Sequence, residues 1–93
     1  MKAIWNGKVI ANSEKTLSLE GNHYFPIKTV AKEFLSKSET QTVCPWKGTA
    51  SYFDIVVDGE TNKDAAWYYT NPSSMAHKIK DHVAFWKGVE ITS

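Results

Sequence analysis

The stretch SYFDIVVDGETNKDAAWYY, residues 51 to 69, holds two strand-like runs on either side of the pair Asp58-Gly59. β-branched and aromatic side chains dominate both runs, and these are the residues most enriched in strands. Asp-Gly accepts the positive φ angles of a tight hairpin turn, so the chain is expected to reverse there. We therefore predict an antiparallel hairpin whose second strand includes residues 65 to 69, after a loop or bulge over residues 62 to 64.

Strand alternation sorts the second run into two rows of side chains. Ala65, Trp67 and Tyr69 share one face, and Ala66 and Tyr68 share the other. One row is expected in the core. The other is available to line a cleft, because Tyr and Trp carry polar tips that suit pocket walls as well as interiors.

A second hairpin is predicted upstream, where KAIWNGKVIA, residues 2 to 11, contains Asn6-Gly7. The expected cross-strand pairs are Trp5 with Lys8, Ile4 with Val9 and Ala3 with Ile10. Both faces of this hairpin carry apolar groups. This favours a position at the junction of a sandwich or barrel over a sheet with one solvent-exposed face. A third strand, TLSLE, is predicted over residues 16 to 20 from its alternation of apolar and polar side chains.

Two helices are expected between the strands. PIKTVAKEFL has apolar residues at helical spacing after a proline, which predicts an amphipathic helix over residues 26 to 36, followed by the polar connection SKSETQ. Asn71-Pro72 is typical of a helix start and predicts a short helix in which Met75, Ile79 and Val83 or His82 share a face. AFWKGVEI is then expected to form one closing strand with a bulge at Gly88.

Length and composition narrow the class of protein. Ninety-three residues form one domain, 1–93, and a net charge of +1 is too small for a protein that binds nucleic acid through its phosphates. One cysteine supports neither a disulfide nor a zinc site of four ligands. No secretory leader pattern is found, and no apolar run approaches the ~20 residues that span a bilayer, so we expect a soluble cytoplasmic protein without a membrane partner.

The loop TVCPWKGTASY, residues 42 to 52, concentrates chemistry-bearing side chains. As a nucleophile, Cys44 needs a nearby cation or histidine, whereas lone cysteines usually pack as small hydrophobic residues. Trp46, Lys47 and Gly48 together offer an aromatic face, a charge and bare backbone that suit an anionic or planar ligand. The alternative is that this loop has only a structural role, in which Trp46 fills one end of the core and Lys47 is exposed to solvent.

Other polar side chains are weaker candidates. His23 lies between a strand end and a predicted helix start, where a ligand contact competes with a structural role. His77 and His82 are five residues apart, so they diverge on a helix and no metal site is predicted. Asp54 is the carboxylate most suited to partial burial, although a solvent-facing position is favoured for it.

Four segments taken in order carry a family resemblance. EGNHYFP (20 to 26), TVCPWKGTASY (42 to 52), NKDAAWYY (62 to 69) and HVAFWKGVE (82 to 90) resemble domain of unknown function family 427 over almost the whole chain. The resemblance implies a mainly β (α+β) protein, a small antiparallel two-sheet tent or open barrel with one or two short helices, and no established activity. The family is also labelled nucleotidyltransferase-like, but this sequence has neither a D-x-D pair after a Gly-Ser turn nor a Gly-rich phosphate loop.

The leading hypothesis is a binding module for a small molecule or peptide in an aromatic cleft, as a monomer or weak homodimer and without a metal or other cofactor. The candidate site residues are Cys44, Trp46, Lys47, Gly48, Trp67, Tyr69, His23 and His82. One alternative is an enzyme that uses Cys44 or Lys47 with a histidine. A protein-interaction domain that pairs through exposed strand edges is the other.

Overall fold

Antiparallel strands account for nearly all regular structure in the computed structural model, which describes residues 1–93. The strands are β1 (Lys2–Trp5), β2 (Lys8–Asn12), β3 (Leu17–Leu19), β4 (Asn22–Pro26), β5 (Leu35–Cys44), β6 (Gly48–Val57), β7 (Glu60–Tyr69), β8 (His82–Phe85) and β9 (Glu90–Thr92). They form a three-stranded sheet in the order β2-β1-β9 and a six-stranded sheet in the order β3-β4-β8-β7-β6-β5. This confirms the predicted mainly β fold with two antiparallel sheets.

Each face of the large sheet has its own hydrophobic core. The first core lies between the two sheets and comprises Ala3, Ile10, Ala11, Phe25, Val30, Ile55, Val57, Ala65, Ala66, Val83 and Phe85. The second core lies on the opposite face and comprises Tyr24, Ala50, Tyr69, Ala76, Ile79 and Ala84. Adjacent residues of β4, Tyr24 and Phe25, belong to different cores, as strand alternation requires.

The central hairpin is confirmed, with Val57 opposite Glu60 across the Asp58-Gly59 turn. Its second strand is longer than expected, because β7 begins at Glu60. The predicted irregularity over residues 62 to 64 is a shift of register within the ladder, and Asp64 has a φ of +55° there.

The first hairpin turns at Asn6-Gly7, and two of its three predicted pairs are confirmed. The third is wrong, because a bulge places Ala3 opposite Ala11 rather than Ile10. The extra residue, Ile10, is fully buried in the first core. The bulge thus directs a large apolar side chain toward the interior.

The predicted helix over residues 26 to 36 is wrong, and so is the polar connection after it. Two 3₁₀ turns, Ile27–Thr29 and Lys32–Phe34, replace the helix, and the connection forms most of β5. Between the turns the chain is extended: the Ala31 N–H donates to the Ile10 carbonyl (2.8 Å), and Val30 bridges Ala11. Pairing with β2 therefore overrides the helical spacing of the apolar residues.

The C-terminal part of the chain also differs from the predictions. The expected short helix is a 3₁₀ segment, Ser74–Ile79, which begins after Ser73 rather than Asn71; Ile79 is buried, but Met75 is 82% exposed. The single closing strand is instead β8 in the large sheet and β9 in the small one. A turn that contains Gly88 (φ +85°) separates them, so this glycine is not in a bulge. None of the helical segments is long and apolar enough to cross a membrane.

Candidate functional site

Lys47 is buried, with 8% of its surface exposed, which contradicts the solvated position of the structural alternative. Its ammonium group forms an ion pair with Glu20 at the β3–β4 turn. Trp46 Nε1 donates to the other carboxylate oxygen of Glu20 (3.3 Å). The Lys47 ammonium also lies 5.6 Å from the Trp46 ring centroid and 5.7 Å from that of Tyr69, within the range of cation–π attraction.

This cluster keeps its charges at neutral pH. Burial by itself lowers the pKa of Lys47, but the hydrogen bond to Glu20 and the neighbouring Tyr24 and Tyr69 outweigh burial, so the pKa is raised. The Lys47 hydrogen bond in turn lowers the pKa of Glu20. A nucleophilic lysine needs a lowered pKa, so the shift favours a structural ion pair over covalent catalysis.

The chain turns sharply between β5 and β6 to bury Lys47. Ser73 clamps this turn, since its hydroxyl donates to the Trp46 carbonyl and its N–H donates to the Lys47 carbonyl (2.9 Å). Gly48 follows with a φ of +116°, and a Cβ added there would lie 3.3 Å from the Asn71 carbonyl oxygen. Glycine adopts this φ and has no Cβ, so the start of β6 can pack against the backbone of residues 71 to 73.

None of the remaining polar candidates forms a hydrogen bond or ion pair with Lys47. Cys44 is a half-buried free thiol opposite Gly48 and packs against the second core. His23 follows Asn22 on β4, so alternation directs it to the face opposite Tyr24. His82 Nδ1 donates to the Lys80 carbonyl (2.7 Å).

Trp67 and Tyr69 do share a face of the large sheet, as expected from their spacing, but Ala65, next to the shift of register, lies with Ala66 in the first core. Trp67 Nε1 donates to the hydroxyl of the buried Tyr24 (3.3 Å), and the two rings meet edge to face. On its other side, Trp67 packs at 83° against Trp86, with 5.9 Å between the ring centroids. The orientation of the Trp67 ring is thus set by two aromatic neighbours.

An aromatic pocket of about 160 Å³ opens on this face, lined by Tyr52, Trp67 and Trp86. Trp86 is 46% exposed and Tyr52 is half buried, and neither was among the sequence candidates. The tripeptide Trp-Lys-Gly, which occurs at residues 46 to 48 and again at 86 to 88, is the signal that would have found Trp86. In both copies the lysine ammonium lies over the tryptophan ring.

Hydrogen bonds hold Trp86 against β7. Its Nε1 donates to the Asp64 carbonyl (2.6 Å), and Lys87 Nζ donates to the Lys63 carbonyl (3.1 Å). Asn62 Nδ2 donates to the Lys87 carbonyl (2.8 Å). The turn between β8 and β9 is thereby fixed to the irregular part of the central hairpin.

The Asp64 carboxylate stabilises that irregularity. It accepts hydrogen bonds from the hydroxyls of Ser38 and Thr40, and Lys63 lies 3.3 Å from one of its oxygens. These contacts, the Ser38 bond foremost, lower the pKa of Asp64 from 3.8 to about 2. Asp54, which is mostly shielded, accepts from the Asp64 N–H (2.8 Å).

No group of three or more His, Cys, Asp or Glu side chains is placed to hold a metal ion.

Acid is expected to weaken the fold through Asp64. The Asp64 carboxylate is protonated near pH 3.8 in the unfolded chain and only near about pH 2 in the folded chain. The free energy of unfolding that Asp64 contributes is therefore fully present above pH 3.8 and is lost as the pH falls toward about 2. Urea unfolding across this range should show a falling midpoint in the parent protein and a flatter profile in Asp64→Asn. Asp58→Asn, at an exposed turn, is the matched control and should keep the parent profile. Identical profiles for all three proteins would contradict the assignment.

The two antiparallel sheets, with aromatic side chains along one face, place the chain in the class of small mainly β proteins. Residues 1–92 match the family model described as Domain of unknown function (DUF427), also named NTP_transf_9. The chain belongs to this family, which confirms the resemblance. No curated protein matches the sequence.

Proposed function

We propose that this protein binds a small molecule by holding a flat ring of that molecule in the aromatic pocket. The observation that carries the proposal is the way the three pocket rings are fixed. Each has its polar tip bonded to the protein: Tyr52 OH with Thr42, Trp67 Nε1 with Tyr24, and Trp86 Nε1 with Asp64. Rings held in place before binding lose little entropy when a ligand arrives.

The size of the pocket supports a ligand group of one ring. Its volume of about 160 Å³ is close to the ~150 Å³ of an engineered apolar cavity that holds benzene. Two of its walls are indole rings nearly at right angles, and aromatic rings bind one another favourably by both face and edge contacts. The proposal assigns ligand contact to Trp67 and its two pocket neighbours, and no ligand contact to Lys47, Trp46 or Tyr69.

The alternatives have less support. An enzyme built on Lys47 needs an unprotonated amine, whereas this amine is paired with Glu20 and its pKa is raised. The longest edge strand is β5, which carries Lys37 and Glu39 and a break in register between residues 37 and 41. Charges and bulges of this kind discourage edge-to-edge association.

Titration with single-ring fragments, followed through the indole N–H signals in NMR spectra, tests the proposal. Phenol should shift the Trp67 and Trp86 signals, and cyclohexanol, its saturated counterpart, should bind at least about threefold more weakly because it lacks a π face. Trp86→Ala should weaken phenol binding about tenfold or more, a loss of roughly 1.4 kcal/mol. Trp86 is 46% exposed, so its truncation should cost less stability than loss of a buried ring, and thermal unfolding of the variant checks that it is folded.

Trp46→Ala is the matched control, since it removes the tryptophan of the other Trp-Lys-Gly copy and leaves the pocket walls intact. It should retain phenol binding. The proposal fails if phenol and cyclohexanol shift the same signals equally. It also fails if Trp46→Ala abolishes binding while Trp86→Ala does not, because the Lys47 loop would then be the binding surface.

A further inference from the structure

A separate groove lies on the other face of the large sheet, the face that carries Phe53 and Tyr68. Two adjoining cavities form it, of about 240 and 330 Å³, and they share Ile27, Lys37 and Phe53. One cavity lies below and the other just above the lower limit of the ~300–1,000 Å³ usual for ligand sites, and the residues that they share make them one groove. We call this surface the Phe53 groove.

The floor of the Phe53 groove is flat and apolar. The rings of Phe53 and Tyr68 stack at 22° with 4.6 Å between their centroids, and both are only partly buried. Ile27 lines both cavities, Val83 adds apolar surface to the first, and Leu35 adds it to the second. Such a floor suits an extended or planar apolar body.

The polar groups around the groove have no partners in the protein. Lys37 lies directly opposite Phe53 in the β5–β6 ladder, yet its ammonium forms no ion pair or hydrogen bond. The Tyr68 hydroxyl is likewise without a bonded neighbour. In the aromatic pocket, by contrast, the polar tip of each ring is already bonded within the protein.

The charges are distributed unevenly along the groove. Lys37 lines both cavities, whereas Lys32 lines only the second, and Asp81 and Thr70 line only the first. An acidic ligand is attracted to the lysine end and repelled from the Asp81 end. The two lysines therefore favour a negatively charged group at the end of the groove farther from Asp81.

We propose that the Phe53 groove is a second binding site, for an amphipathic anion with a flat apolar body and one carboxylate. The apolar body lies on Phe53 and Tyr68. The carboxylate pairs with Lys37, and Lys32 adds positive charge at the same end. The site is independent of the aromatic pocket, because the two open on opposite faces of the sheet.

A pair of probes with the same apolar body and opposite charge tests this proposal. Phenylbutyrate and phenylbutylamine are titrated separately at neutral pH while the backbone amide NMR signals are recorded. Phenylbutyrate should shift the signals of Phe53, Tyr68 and Val83 and bind about fivefold more tightly than the amine, as expected for a contact worth up to about 1 kcal/mol. Equal binding of the two probes would overturn the charge assignment.

Charge reversal at Lys37 provides the second arm. Lys37→Glu should weaken phenylbutyrate binding about fivefold and strengthen amine binding, by the same surface ion-pair energies. Lys78→Glu makes the same change in net charge at an exposed lysine outside the groove and should leave both affinities unchanged. Shifts confined to Tyr52, Trp67 and Trp86 would overturn the second site and leave the proposed function standing, whereas loss of phenol binding alone would leave the Phe53 groove standing.

Discussion

Phe25→Ala is expected to destabilise the protein by about 3–5 kcal/mol, the usual cost of truncating a fully buried phenylalanine. Phe25 has no exposed surface and lies in the core between the two sheets, where its ring packs at 72° against Phe85 with 5.6 Å between centroids. Alanine would leave a cavity at the junction of β4 and β8, the pair that joins β3 and β4 to the rest of the large sheet.

Urea and thermal unfolding measure this loss. A domain of this size has a total stability of roughly 5–15 kcal/mol, so the variant should lose a large part of it and melt far below the parent protein. Phe34→Ala removes the same atoms from a half-buried position at the edge of the first core and should cost less than half as much. Equal losses for both variants would mean that the inter-sheet core does not dominate stability.

Gly48→Ala is expected to cost up to about 3 kcal/mol, the upper end for a residue in a sparsely populated backbone region. The φ of +116° at Gly48 lies well beyond the values of +50° and +51° at Asn6 and Asp58, so asparagine should not rescue the position. The added Cβ would also press on the Asn71 carbonyl oxygen. If the start of β6 moved away from Asn71, the hydrogen bonds from Ser73 to the Trp46 and Lys47 carbonyls would weaken.

Gly59→Ala separates the two causes of strain. Gly59 has a φ of +80° but nothing within 4 Å of an added Cβ, so alanine should cost only roughly 1–2 kcal/mol, the conformational term alone. Gly59→Asn should recover part of that loss, whereas Gly48→Asn should recover none. Chemical unfolding of the alanine and asparagine variants at both positions measures these losses in the free energy of unfolding. Similar losses at Gly48 and Gly59 would show that the close approach to Asn71 does not contribute to the cost at Gly48.

Most of the strands could be predicted from the sequence, and the candidate site only in part. Asn6-Gly7 and Asp58-Gly59 identify both hairpins because their turn geometry depends on the two residues themselves. Trp67 and Tyr69 share a face because alternation is a property of one strand. Trp86 escaped prediction because its role in the pocket depends on hydrogen bonds to a strand more than twenty residues earlier in the chain.

The segment over residues 26 to 36 shows why local patterns fail. Its apolar residues have helical spacing, but the extended backbone at Ala31 gains a hydrogen bond to Ile10, and Val30 enters the core between the sheets. Helix propensity is worth at most about 0.7 kcal/mol for each ordinary residue, which one fully buried apolar side chain outweighs.

By itself, the sequence determined the family, the two hairpin turns and the alternation of side chains in the regular parts of the strands, since these depend on neighbours a few residues apart. Only the tertiary structure decided that Lys47 is buried, that Trp46 stays half exposed and that Trp86 completes a pocket. The carboxylate that makes the burial of Lys47 tolerable is Glu20, twenty-seven residues away in the chain. A buried charge needs such a partner, and the fold alone brings the two together.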